Sequence, residues 1–176
     1  MAPHPHPLNP ESPDAPPTPE ARPDVRQRAQ AYRLVRQAQA ALEEARNRCA
    51  QAWNHDAQTG AVIDARPTPE AEAALDQAVA AFRQALDLAG QAPPAADAHA
   101  GLARIAMLRD DIEAADQALS DALDADPARD DLLAERMTLR LDAGDMRQAR
   151  QDLERLESLG SDLAHGWRDE LDALEA

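Results

Sequence analysis

The sequence predicts an all-α protein of antiparallel helix pairs stacked into a short α-solenoid and closed by a C-terminal capping helix. Three observations lead there. Alanine, leucine, glutamine, glutamate and arginine dominate after Pro23, all strong helix formers, and the two-residue alternation of a strand is absent. Breaks at Arg109-Asp110, Asp126-Pro127, Gly144 and Gly160 divide the second half into segments of helical length. The connections are short, and short connections make consecutive helices antiparallel neighbours.

The first element is not helical. Nine of the 14 prolines lie between Pro3 and Pro23, which leaves few backbone donors and little apolar surface. Residues 1–23 read as a disordered, proline-rich tail. The tail has no basic start leading into an apolar run, so it is not a signal peptide. Asp24 then caps a long helix over 24–54. Its apolar stripe runs through Val25, Ala29, Tyr32, Val35, Leu42, Ala45, Cys49 and Ala52. The pattern fades over 55–67, which reads as a loop. Thr68-Pro69-Glu70 supplies a capping hydroxyl, a first-turn proline and an acid at the positive end of the helix dipole, so a helix starts there. Leu75, Val79, Phe82 and Leu86 line one side of it, and Gly90 ends it. Pro93 and Pro94 fall in the next turn. Helices follow at about 96–108, 111–125, 129–142 and 145–159, with a capping helix at 161–175. In that last helix Trp167, Leu171 and Leu174 face inward.

The second half repeats itself. RDDIEAADQALSDALDADP at 109–127 aligns with AGDMRQARQDLERLESLGS at 143–161. Asp111 falls on Asp145, Ile112 on Met146, Ala115 on Ala149, Leu119 on Leu153 and Ala122 on Leu156, always 34 residues apart. A weaker copy places Ala78, Phe82 and Ala85 in the roles of Ala115, Leu119 and Ala122. The period and these positions resemble the tetratricopeptide repeat family. Residues 96–129 carry the resemblance best, with Leu102 and Ala103 in the first helix, Ala115, Leu119 and Ala122 in the second, and Pro127 closing the unit. Residues 130–163 depart from it: Arg136 and Arg140 stand where apolar residues are usual, and Ser161 replaces the proline. The resemblance spans about 70–163, with the long N-terminal helix partnering the first copy, so residues 68–163 form the repeat region of a domain over 24–176.

That resemblance implies a non-enzymatic interaction module or scaffold, which grips a partner peptide or helix in a groove lined by the first helix of each unit. By this alignment Asp97, Ala100, Arg104 and Met107 face the groove from one unit, and Asp131, Ala134, Thr138 and Leu141 from the next. The family's lysine clamp for a terminal carboxylate has no counterpart, since the chain contains no lysine. One alternative is an acidic chaperone or regulatory subunit holding a basic client. Another, from a different class, is an enzyme whose sparse catalytic residues escape recognition.

Charge narrows the partner. The net charge is −15. From Asp97 onward there are 21 acids against 9 arginines, a balance of −12. Such a surface repels phosphate backbones and anionic lipid, so a protein or peptide partner is expected, with neither nucleic acid nor membrane. No apolar run reaches membrane-spanning length. All 18 basic residues are arginine, the usage of a GC-rich bacterial genome. The lone Cys49 fits a reducing, cytoplasmic compartment.

Reaction chemistry finds no support. DALDADPARDD, at 121–131, concentrates five aspartates but lacks the glycine and distal glutamate of a calcium loop, and reads as helix ends and a turn. His4 and His6 sit in the tail, where Pro3 has no amide proton to give up to a square-planar metal site. His55, His99 and His165 share no ligand spacing with each other or with Cys49. Cys49 lies on an apolar stripe and reads as a core thiol. Neither a phosphate loop nor a nucleophile elbow occurs. No catalytic residue, metal or cofactor is expected.

Overall fold

The computed structural model describes residues 24–59 and 67–174, with no side-chain account of 51–59, 170 and 174. All described elements are helical: α1 (Val25–Thr59), α2 (Pro69–Ala89), α3 (Pro94–Leu108), α4 (Ile112–Ala125), α5 (Asp130–Asp142), α6 (Met146–Ser158), a 3-10 turn (Asp162–Ala164) and α7 (Trp167–Leu174). Helices pack most closely as α1 with α2, α3 with α4, and α5 with α6, while α2–α3, α4–α5 and α1–α3 contacts join successive pairs.

Local signals explain the boundaries. The Asp24 amide donates to Gln27 Oε1 at 3.0 Å and opens α1. The Thr68 hydroxyl accepts from the Ala71 amide at 3.2 Å and caps α2. Gly90 ends α2 with φ +55°. Pro94, expected in the turn, instead occupies the first position of α3, where its missing N–H costs nothing. Helix α1 continues through Thr59 rather than stopping at 54. The rest of the expected loop, 60–66, lies outside the described residues, as does the proline-rich tail.

The 34-residue offset recurs in the turns. The amides of Asp110 and Asp111 donate to the Met107 and Ala106 carbonyls, and those of Gly144 and Asp145 donate to Leu141 and Arg140. Asp111 then caps α4 through the Ala114 amide at 3.1 Å, and Asp145 caps α6 through Gln148 at 3.0 Å. Asp110 adopts φ +59° where Gly144 has φ +79°, so an aspartate here takes a left-handed conformation that usually selects glycine.

The core falls into two clusters. In the first, α1 contributes Ala31, Val35, Ala38, Leu42, Ala45 and Cys49 to a layer with Leu75, Ala78, Phe82 and Ala85 of α2. Tyr32, expected on that stripe, is 40% exposed, and Val25 is 77% exposed. Small residues let the helices approach closely, and Phe82 fills the space where α2 meets α3. Its ring lies directly on Gly101, leaving no room for a Cβ. The second cluster gathers Ala115, Leu119, Ala122, Leu132, Leu133, Met137, Ala149, Leu153 and Leu156.

The capping segment differs from a single helix over 161–175. The Ser161 hydroxyl accepts from the Leu163 amide at 3.2 Å to start the 3-10 turn. Gly166, at φ +90°, then reverses the chain into α7. Leu171 is buried and Trp167 half-buried against the second cluster. The Leu174 side chain lies outside the described residues.

Candidate partner-binding face

Helices α1, α3 and α5 open the three pairs, and two clefts lie along them. One, of about 440 Å³, is lined by Ala29, Tyr32, Val35, Arg36 and Gln39 of α1 with Asp97 of α3. The other, of about 410 Å³, is lined by Met107, Ile112, Glu135, Thr138, Leu139 and Asp142. Each is lined by three apolar or aromatic side chains and three polar or charged ones, a mixture that a peptide-contacting surface can use.

The structure distributes the eight expected groove residues among different tasks. Arg104 forms a two-pronged ion pair with Glu135, Nε to Oε1 at 2.9 Å and Nη2 to Oε2 at 2.8 Å. Arg129 bridges Asp97 at 2.9 Å and Asp131 at 2.7 and 2.8 Å. Asp97, Arg104 and Asp131 are therefore engaged in bonds around the α3–α5 junction. The hydrogen bonds from Arg129 hold the Asp131 carboxyl below the ordinary carboxylate range, against a smaller opposing effect of burial. Met107, Ala134 and Leu141 are half-buried against the second core cluster. Thr138 is exposed and returns its hydroxyl to the Ala134 carbonyl at 3.0 Å. Ala100 is a correction: at 2% exposure it belongs to the core and cannot touch a partner. It packs in the second core cluster with residues of α4 and α5.

Arg136 and Arg140, the departures from an apolar pattern, form the most buried polar cluster described. Asp152 of α6, 2% exposed, accepts from Arg136 at 2.6 and 3.1 Å and from Arg140 at 2.8 Å. Arg140 also binds Asp116 at 2.6 and 3.2 Å. Arg136 donates to the Ser120 hydroxyl at 2.9 Å, which in turn donates a hydrogen bond to the Asp116 backbone carbonyl at 2.8 Å. Two cations and two anions thus join α4, α5 and α6 with no orphaned side-chain polar atom among the described residues. The sequence carried a signal for this: Asp152 sits among Ala149, Leu153 and Leu156 on the buried stripe of α6, a charge where only a paired one is tolerated. Arg140 and Asp116 also line a cleft of about 740 Å³ between the start of α4 and the α5–α6 turn.

The five aspartates of 121–131 are spread over helix ends and a turn. Asp126 ends α4 and accepts from the Ala128 amide at 3.4 Å, and Asp131 binds Arg129 in the first turn of α5. Asp130 accepts from the Ser161 hydroxyl at 2.7 Å, which explains the serine where the repeat pattern has proline: it ties the next turn back to this one. Asp121 Oδ2 stands 3.9 Å from His99 Nδ1, beyond hydrogen-bonding reach. Burial lowers the His99 pKa, with Asp121 acting the other way. Among the described residues no group of three or more His, Cys, Asp or Glu side chains is arranged to hold a metal. None of the described helices is long and apolar enough to cross a membrane. Cys49 is buried and forms no disulfide.

Comparison with protein-family models, curated proteins and solved structures finds no match for this chain.

Proposed function

We propose that the chain is a short tetratricopeptide-like α-solenoid acting as a non-enzymatic, cytoplasmic binding module, which takes a peptide or helix of a partner protein along the α1–α3–α5 face. The observation that carries the reading is the placement of two open clefts of mixed apolar and polar lining along the first helices of successive pairs. The 34-residue recurrence of turns and caps supports the repeat, because equivalent turns give successive pairs equivalent geometry. The ion pairs of Arg104 and Arg129 favour binding by pre-organising the face, which lowers the ordering cost of association.

Affinity purification from the native cell at high salt, with wild-type and Thr138→Arg proteins side by side, tests this. Thr138 is exposed, so arginine there blocks the α3–α5 cleft without disturbing the core. A partner retained by wild type and lost by the variant supports the groove. Retention of the same partners by both proteins, or of none by either, refutes it. The charge of −12 beyond Asp97 favours a second reading, the holding of a basic client. In that case partners dissociate as salt rises and ignore Thr138→Arg.

A further inference from the structure

The outer face of α1 has no partner within the described chain. Its buried stripe, Ala31, Val35, Ala38, Leu42, Ala45 and Cys49, packs toward α2 and α3. At 100° per residue, Arg26 and Arg33 fall on the opposite side and Arg36 at its edge, where it also lines the α1–α3 cleft, and all three are exposed. Val25 and Tyr32, 77% and 40% exposed, lie beside them. No carboxylate among the described residues bonds these arginines, whereas Arg46 and Arg48 further along α1 pair with Glu43 and Glu44. Residues 25–50 hold six arginines and two glutamates, a local charge of +4 inside a chain of −15.

The complementary surface is on α4. Residues 112–125 hold four acids and no base. Only Asp116 among them is paired with an arginine, Arg140. Glu113, Gln117, Asp121 and Asp124 recur at helical spacing opposite the buried Ala115, Leu119 and Ala122. Glu113 and Asp124 are exposed without an ion pair. The stripes also match in length: ten residues from Arg26 to Arg36 span about 15 Å, and eleven from Glu113 to Asp124 about 16 Å. Both face away from the core, so the α1 and α4 of one molecule cannot meet through them.

We infer that the arginine stripe of α1 docks on the acidic outer face of α4 of a second copy of this chain. The two patches differ, so the association is head-to-tail and continues into rings or filaments rather than stopping at a two-fold dimer. Val25 and Tyr32 give the contact an apolar edge, and the charges set its orientation and on-rate.

Sedimentation velocity on the full chain tests the assembly. Wild type is expected to exceed monomer mass at low salt and to return to monomer at high salt. Arg26→Glu/Arg33→Glu and Glu113→Arg/Asp124→Arg should each weaken association at least tenfold, with unchanged far-UV circular dichroism. Mixing the two variants should restore it, because each then offers what the other needs. A wild-type chain that stays monomeric throughout a low-salt concentration series overturns the inference, even if the arginine stripe captures polyglutamate. So does an assembly that neither charge reversal weakens.

Discussion

Gly101→Ala turns the α2–α3 contact into a test of sign. In an ordinary exposed helix the change stabilises by about 1 kcal/mol, because glycine is the more costly residue in a helix interior. Here a Cβ at residue 101 would stand 2.5 Å from Cε1 of Phe82 and closer still to Cε2 and Cζ. Carbon atoms at rest sit about 3.5–4 Å apart, so the ring or the helix must give way by at least 1 Å or so. Phe82 is fully buried and cannot swing out. Overpacking of this kind costs about 1–3 kcal/mol, which outweighs the helix-propensity gain over most of its range. The expected outcome is a net loss of up to about 2 kcal/mol in urea denaturation followed by circular dichroism. Phe82→Ala alone should cost about 3–5 kcal/mol through the cavity it leaves. In that background Gly101→Ala should turn neutral or stabilising, since its methyl then enters the vacated space. A stabilising Gly101→Ala in the wild-type background refutes the close approach of α3 to the ring.

Asp152→Ala should cost about 3–5 kcal/mol, because Arg136 and Arg140 keep their charge in a buried site and lose their shared acceptor. Chemical denaturation measures it, and replacing all three together by well-packed apolar residues should recover most of the loss. The Asp131 carboxyl sits lower in the folded chain than in the unfolded one, where it titrates near about 3.9. Its contribution is therefore complete above that value and disappears as pH falls through the folded one. The pair is half exposed, so the contribution stays under about 1 kcal/mol. Asp131→Asn should flatten the acid limb of a melting-temperature profile below about pH 4 and lower the plateau above it, and an unchanged profile counts against the Arg129 bond.

The sequence by itself determined the helical class, most helix starts and the 34-residue period. Those follow from information local to each segment: propensity, the Thr68 and Asp111 caps, the positions of glycine and proline, and spacing that a fixed helical pitch converts into faces. The tertiary structure alone decided what crosses between helices. Ala100 and Arg104 stand on one helix at positions the sequence pattern assigns to a groove, yet one is sealed in the core and the other is locked to Glu135. Neither outcome depends on α3 itself, because both are set by how near α5 and the preceding pair come. The same holds for Gly101, a bland residue until the Phe82 ring lies on it. Arg136 and Arg140 looked like flaws in a repeat, and the reason they are tolerated is 12 to 24 residues away in sequence, in Asp152, Ser120 and Asp116. Burying a charge is favourable only beside its partner, and the partner's position is a property of the packed fold.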